Sequence, residues 1–454
     1  MSWEPVPFSA EPGEGPVTWG QLHMWHPMLR YGAGFATLSL RQVLPLPEPG
    51  VAPADCLAAI RRLVETHQSL RTRFADRSGG VRQSVAGEGA HLVEVYEAGG
   101  HVSDGAFAAA AERRARKLAA EPFRHSHEWP ARFGLVCRGG RVRAVAVVCS
   151  HVAFDAGAAD LVGADLLRIL GGRPAAPGRV WQPLDQAAYE RSERGRREDA
   201  RAMRHWRARL AEVPDTAPRP PYDPPAAPPI QQWWLTSNAL AAASVDVAAR
   251  TRTSSSAVLL TVAATALSAI RGRRTVPLKL ITGNRFAEPR QRLAASTAQD
   301  GLMVFERADV GLDDAVRDVY RRSTSGYMRA QYDPDSLTAL TRELDAARRH
   351  PLDLTGYFND ARLSHEWDIP GGPRARSERG PAFVRGYDSN DMTFCLVLAQ
   401  QGRDCQVSLL ADTRRLPADR IPRLLSGLES LLCTAARGDV ALSTVPGALG
   451  LSDL

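Results

Sequence analysis

A histidine and an aspartate four residues apart, His151 and Asp155, close an apolar run that reads Val147-Val148-Cys149-Ser150-His151-Val152-Ala153-Phe154-Asp155-Ala156-Gly157. A histidine leaving a buried strand stands on a constrained turn, where its imidazole can be desolvated and oriented. Those are the conditions for a general base near neutral pH. Small residues and the start of a helix follow, so the backbone N–H groups of Ala156 and Gly157 are candidates to stabilise a developing oxyanion. Taken alone, the pattern suits a structural histidine equally well. Cys149 lies two residues before His151 and invites a Cys–His nucleophile. A small buried core thiol is the favoured reading.

Other reactive side chains carry less. His23 and His26 could share a helix face, and His125 and His127 flank Ser126. Neither pair has a cysteine or carboxylate cluster beside it, so no metal site is expected. The six cysteines are scattered without a Cys-x-x-Cys pair, which indicates neither a zinc ribbon nor a redox motif. Gly171-Gly172-Arg173-Pro174 lacks the Lys-Ser/Thr of a phosphate-binding loop and reads as a turn. Trp233 and Trp234 read as packing anchors, and His67 as a structural support of the first half.

Around these residues the chain alternates helical and strand patterns. Helical spacing is predicted over Pro53–Ser69, Ala106–Ala120, Ala158–Leu170, Leu184–Leu210, Ser254–Ile270, Leu312–Gln331, Ser336–Arg349 and Ala418–Ala435. Strand character is predicted over Ala36–Leu44, Arg132–Val136, Arg141–Cys149, Pro277–Thr282, Leu302–Phe305, Thr393–Ala399 and Gln406–Ala411. Arg138-Gly139-Gly140 marks a hairpin. Pro214 to Pro229 holds eight prolines in sixteen residues, so it should be an extended surface crossover. The expected organisation is one α/β lobe over residues 1–180, a long helix and proline-rich crossover over 181–229, and a second lobe over 230–454.

The 454 residues are 44% apolar and 24% charged, which excludes general disorder. No run reaches the roughly 20 apolar residues of a membrane helix; Ser255–Ile270 reads as a buried helix. The N-terminus lacks a secretory pattern, and a cytoplasmic protein is expected. The net charge is +7, yet only Lys117 and Lys279 are lysines. Arginine in place of lysine reflects a GC-rich coding habit as much as a nucleic-acid grip. An acidic protein surface suits that charge as well as a phosphate backbone, and neither a nucleic-acid nor a membrane partner is expected.

The His151–Asp155 segment resembles the His-His-x-x-x-Asp-Gly signature of nonribosomal peptide synthetase condensation domains, members of the chloramphenicol acetyltransferase superfamily. Further segments resemble motifs of that family in order: Thr18-Trp19-Gly20-Gln21-Leu22-His23-Met24-Trp25, Thr66-His67-Gln68-Ser69-Leu70-Arg71-Thr72-Arg73-Phe74, His205-Trp206-Arg207-Ala208-Arg209-Leu210, Gly283-Asn284-Arg285 and Asp391-Met392-Thr393-Phe394. The resemblance implies two chloramphenicol-acetyltransferase-like lobes of mixed α/β (α+β) type, forming a V-shaped pseudo-dimer with a central tunnel. It implies His151 as base or positioner, Asp155 as a structural carboxylate, and Arg285, beside Asn284, as its partner. It also implies amide or ester formation in nonribosomal peptide and antibiotic biosynthesis. An acyl or peptidyl carrier protein would act in trans, bringing its own phosphopantetheine arm to a small amine or alcohol acceptor, with no metal or diffusible cofactor.

Two signature positions depart: Ser150 stands for the first histidine, and Ala156 for the glycine. Neighbours on an extended strand face opposite ways, so Ser150 should replace a support and not the base. Ser296 to Gly301 replaces an apolar stretch that in the family lies towards the acceptor. Three readings follow: a free-standing condensation enzyme, a catalytically inactive relative that recruits a partner enzyme, and a coenzyme-A-dependent acyltransferase.

Overall fold

The computed structural model describes residues 1–31, 39–99, 102–175, 180–362, 380–401 and 404–452. The chain folds into two compact units that are not contiguous in sequence. The first comprises residues 1–196 and 283–298, and the second residues 197–282 and 299–454. The sequence division thus differs from the spatial one at residues 283–298, which belong with the first unit, as do residues 181–196.

In the first unit, strands β1 (Ser2–Ser9), β2 (Gly13–Pro16), β3 (Ser39–Pro45), β4 (Thr72–Arg77), β5 (Gly80–Val85), β6 (Glu88–Glu97), β7 (Ala131–Arg138) and β8 (Arg141–Ser150) form two sheets. One has the order β1-β6-β7-β8-β3 and the other β2-β5-β4. Pro5 and Pro7 sit in β1, whose edge position tolerates the missing N–H donors. The β7–β8 hairpin turns at Gly139 and Gly140, both at positive φ, as the Gly-Gly pair demands. The strand expected from Ala36 is β3; residues 36–38 lie outside the described residues.

β8 is buried from Ala144 to Ser150, which explains its unbroken apolar run. The helix Ala156–Leu170 follows it and packs Val162, Leu166 and Ile169 into the core with Ile60, Leu63 and Val64 of the helix Pro53–Thr66. The helix predicted over Leu184–Leu210 is two, Pro183–Arg191 and Glu193–Leu210. Ser192 is extended between them, its Oγ donating to the Tyr189 carbonyl at 2.6 Å and accepting from Gly195 N at 3.2 Å. That local bonding of a serine competes with helix continuation, and the composition alone did not reveal it.

The second unit holds β9 (Ile230–Ser237), β10 (Thr275–Thr282), β11 (Gln299–Glu306), β12 (Gly356–Asp360), β13 (Ala382–Tyr387), β14 (Phe394–Gln401) and β15 (Asp404–Asp412). They form one sheet, ordered β11-β10-β12-β14-β15-β9-β13. The helix Ser255–Arg271 begins at a Ser254 cap and is buried at every residue from Ala257 to Arg271. Among the described residues no single helix is long and apolar enough to cross a membrane. Trp234 is buried within β9, and Trp233 packs edge-on against Phe383 at 5.7 Å. Trp206 is fully buried against Tyr332 at 5.8 Å, and His205 Nε2 lies 3.1 Å from the Leu302 carbonyl. In the same unit Thr393, within the Asp391–Phe394 motif, bonds Thr355 through hydroxyls 2.6 Å apart.

Candidate active site

The site is built where β8 ends. Its last residue, Ser150, is buried and holds the following turn at several points. Its N–H donates to the Pro130 carbonyl at 2.9 Å, and its carbonyl accepts from Ala153 N at 3.1 Å and Phe154 N at 3.0 Å. Its Oγ accepts from Val152 N at 3.3 Å. His151 is the first residue of that turn and is partly exposed, between buried neighbours on both sides. Burial holds its imidazole below the ordinary histidine range, against the pull of Asp155 and of the backbone at His151 and Phe154. A neutral imidazole is the form that accepts a proton.

Asp155 caps the next helix. Its Oδ1 accepts from Ala158 N at 2.8 Å and from Arg285 Nη2 at 2.7 Å. Its Oδ2 accepts from Thr297 N at 2.8 Å, Thr297 Oγ1 at 3.1 Å and Ala298 N at 3.1 Å. Burial alone would raise this carboxyl, but Arg285 and the converging N–H groups outweigh it and hold it below the usual carboxylate range. Arg285 also donates to the carbonyls of Arg290 at 3.0 Å, Leu293 at 2.7 Å and Ala295 at 2.7 Å. Asp155 and Arg285 together are the knot that closes residues 283–298 onto the turn of His151.

That strap has further ties. Asn284 sits at positive φ, a conformation asparagine tolerates, and its Nδ2 donates to the Thr297 carbonyl at 3.1 Å. Ser296 N donates to the Ala153 carbonyl at 2.9 Å, next to His151, and Thr18 Oγ1 donates to the Ser296 carbonyl at 3.3 Å. Gly20 is needed here, because a Cβ on it would stand 2.3 Å from the Ser296 oxygen. Segments separated by up to 278 residues therefore meet at one place.

Ala156 and Gly157 open the helix that Asp155 caps, so a carboxylate already stands at its positive end. Gly157 has a different use. A Cβ there would lie 2.8 Å from Arg285 Nε and 3.1 Å from Cδ, so the missing side chain lets the guanidinium reach Asp155. Gly157→Ala is expected to cost about 1–3 kcal/mol of stability through this overlap, read as a lowered thermal midpoint. An unchanged midpoint would show that the arginine can yield.

Cys149 is buried in the first unit's core, and burial pushes its thiol up to about 12. A thiol held there is not a nucleophile at neutral pH. Cys149→Ala is expected to leave turnover within about twofold while lowering stability by about 1 kcal/mol; loss of turnover at intact fold would revive the Cys–His reading. His67 Nε2 lies 2.9 Å from Asp165 Oδ2 in the core, a structural pair. Among the described residues no group of three or more His, Cys, Asp or Glu side chains is arranged to hold a metal ion.

Sequence reasoning missed Thr297 and Ala298 as partners of Asp155, and His125 as the neighbour of Ser150. The departure at Ser296–Gly301 was the visible signal for the first two. Thr297 and Ala298 serve Asp155, and Gln299 onwards is β11 of the second unit.

A condensation-domain family model matches residues 47–296, just over half of the chain. The chain belongs to the condensation domain family. Condensation domains are amide-bond-forming acyltransferases, and the fold is the mixed α/β, acetyltransferase-like fold of that family. Cyclosporin synthetase simA of Tolypocladium inflatum is 26% identical over 224 residues, which are 46% of this chain and 1% of that protein's length. The structure of a condensation domain that mediates chain release from the enacyloxin polyketide synthase superposes with a TM-score of 0.69 at 19% identity, over 96% of this chain and 83% of that one. The condensation domain of monacolin K polyketide synthase MokA gives 0.71 at 14% identity, over 94% and 98%.

Proposed function

We propose that this condensation domain joins an acyl or aminoacyl group, presented as a thioester on a carrier protein, to an amine or alcohol acceptor in nonribosomal peptide or related specialised-metabolite biosynthesis. The observation that carries the reading is the placement of His151. The residue is only partly buried and its imidazole neutral, on a turn fixed by Ser150 on one side and by the Asp155–Arg285 ion pair on the other. The acceptor nitrogen or oxygen attacks the thioester carbonyl, its proton passes to His151, and the carbon–sulfur bond breaks. The thiol of the phosphopantetheine arm leaves, taking the proton back from the imidazolium. The thioester supplies the activation, so the reaction requires no cofactor resident on this protein. Asp155 and Arg285 act by holding the turn and stay out of the proton transfer.

Of the two departures, Ser150 is bonded into the turn, and Ala156 is followed by Gly157, which leaves room for Arg285 to reach Asp155. The test is intact-protein mass spectrometry of an acyl-loaded carrier protein incubated with this protein and candidate acceptors. Unloading of the carrier with matching product supports the reading. Tight carrier binding with no turnover over a panel of donors would overturn it in favour of a recruitment role. Turnover with free acyl-coenzyme A and no carrier would move it to a coenzyme-A-dependent acyltransferase.

A further inference from the structure

Ser150 occupies the position at which the family signature has its first histidine, and a different histidine reaches it in space. His125 Nε2 lies 2.7 Å from Ser150 Oγ. The ring is held on three sides, by Trp25 at 5.9 Å, Phe74 at 6.3 Å and Phe123 at 6.3 Å between centroids. The backbone is fixed as well, since the His125 carbonyl accepts from Phe74 N at 2.9 Å. Trp25 closes the opening motif and Phe74 closes the second, so two motifs meet around a histidine that belongs to neither. His127, its sequence neighbour, is exposed and bonds Ser126 at 2.7 Å instead.

A serine hydroxyl is a free rotor until its partners fix it. Here Oγ accepts from Val152 N while meeting His125, and the Ser150 carbonyl takes the N–H groups of Ala153 and Phe154. We infer that His125 is a positioning residue for His151: its bond to Ser150 Oγ locks the hydroxyl that closes the turn on which the reacting imidazole stands. Burial pushes His125 down to about 4, so at neutral pH the ring is uncharged and trades a single hydrogen bond with the hydroxyl. The role in catalysis rests on the function proposed above; the role in placing the ring of His151 does not.

His125→Phe keeps a ring among Trp25, Phe74 and Phe123 but removes the bond. Ser150→Ala removes it from the other end, and His125→Gln keeps a polar group in reach. His125→Phe and Ser150→Ala are each expected to lower kcat about 5- to 20-fold through loss of the half-buried bond between His125 and Ser150 Oγ, with KM within about twofold. The double variant should be no slower than Ser150→Ala alone, because the bond that His125→Phe removes is already lost in Ser150→Ala, together with that of Val152 N. His125→Gln should recover most of the loss. In spectra of protein carrying isotope-labelled histidine, the ring signals of His151, assigned by their absence in His151→Ala, should move in both single variants while the thermal midpoint stays within a few degrees.

His151 signals unmoved in His125→Phe and Ser150→Ala would overturn the inference, as would losses that simply add in the double variant. Absence of product from the unaltered protein would defeat the proposed function alone, and the spectra would still decide the positioning. Should His125→Phe fail to fold, Ser150→Ala and His125→Gln decide.

Discussion

His151→Ala is expected to reduce condensation roughly 10²- to 10⁴-fold, the usual worth of a positioned general base, while circular dichroism and the thermal midpoint stay near those of the unaltered protein. The fold should tolerate the change because the residue is only partly buried, on a turn held by the bonds of Ser150 with Val152, Ala153 and Phe154. The loss should fall on kcat, since the proton moves only in the transition state. The pH profile supplies a second check. Burial holds the imidazole below its ordinary 6.5, so activity should be flat through neutral pH and fall only below that value, as the ring takes up a proton and ceases to be a base. Full turnover in His151→Ala, or an acid limb above 6.5, would remove the imidazole from the reaction.

Arg285→Met should be the most damaging single change for stability. It leaves Asp155, whose side chain is only 5% exposed, as a buried charge without its cation, at about 3–5 kcal/mol. It also deprives the carbonyls of Arg290, Leu293 and Ala295 of their donor. The double variant Asp155→Asn with Arg285→Met should be more stable than Arg285→Met alone, because no charge is stranded, although the single amide oxygen keeps the acceptor bonds of either Ala158 or Thr297 and Ala298 but not both. Denaturant unfolding measures both. Asp155 ionises below the usual carboxylate value when folded, so its contribution is present above pH 3.8 and lost as pH falls through the folded value. In Arg285→Met that acid loss should shrink. A variant as stable as the parent would show that the strap of residues 283–298 is held by something else.

The sequence by itself determined the fold class and pointed to the segment proposed to carry the chemistry. Both are written in local patterns: an apolar run ending in a histidine, small residues opening a helix, Gly139-Gly140 at a hairpin. It also indicated that Arg285 would answer Asp155, because the resemblance supplied a pairing that spacing cannot. Strands β1, β2, β4 to β6, β9, β12 and β13 escaped prediction. They are short, interrupted by proline or glycine, or polar on one face, and they exist because neighbouring strands complete their hydrogen bonds.

Tertiary structure alone decided that residues 283–298 belong with the first unit, that Thr297 and Ala298 share Asp155, that Gly157 makes room for Arg285, and that His125 meets Ser150. Each of these joins residues through directional hydrogen bonds or steric clearance across the folded chain. Such contacts depend on a few tenths of an ångström in three dimensions and leave no periodic trace along one.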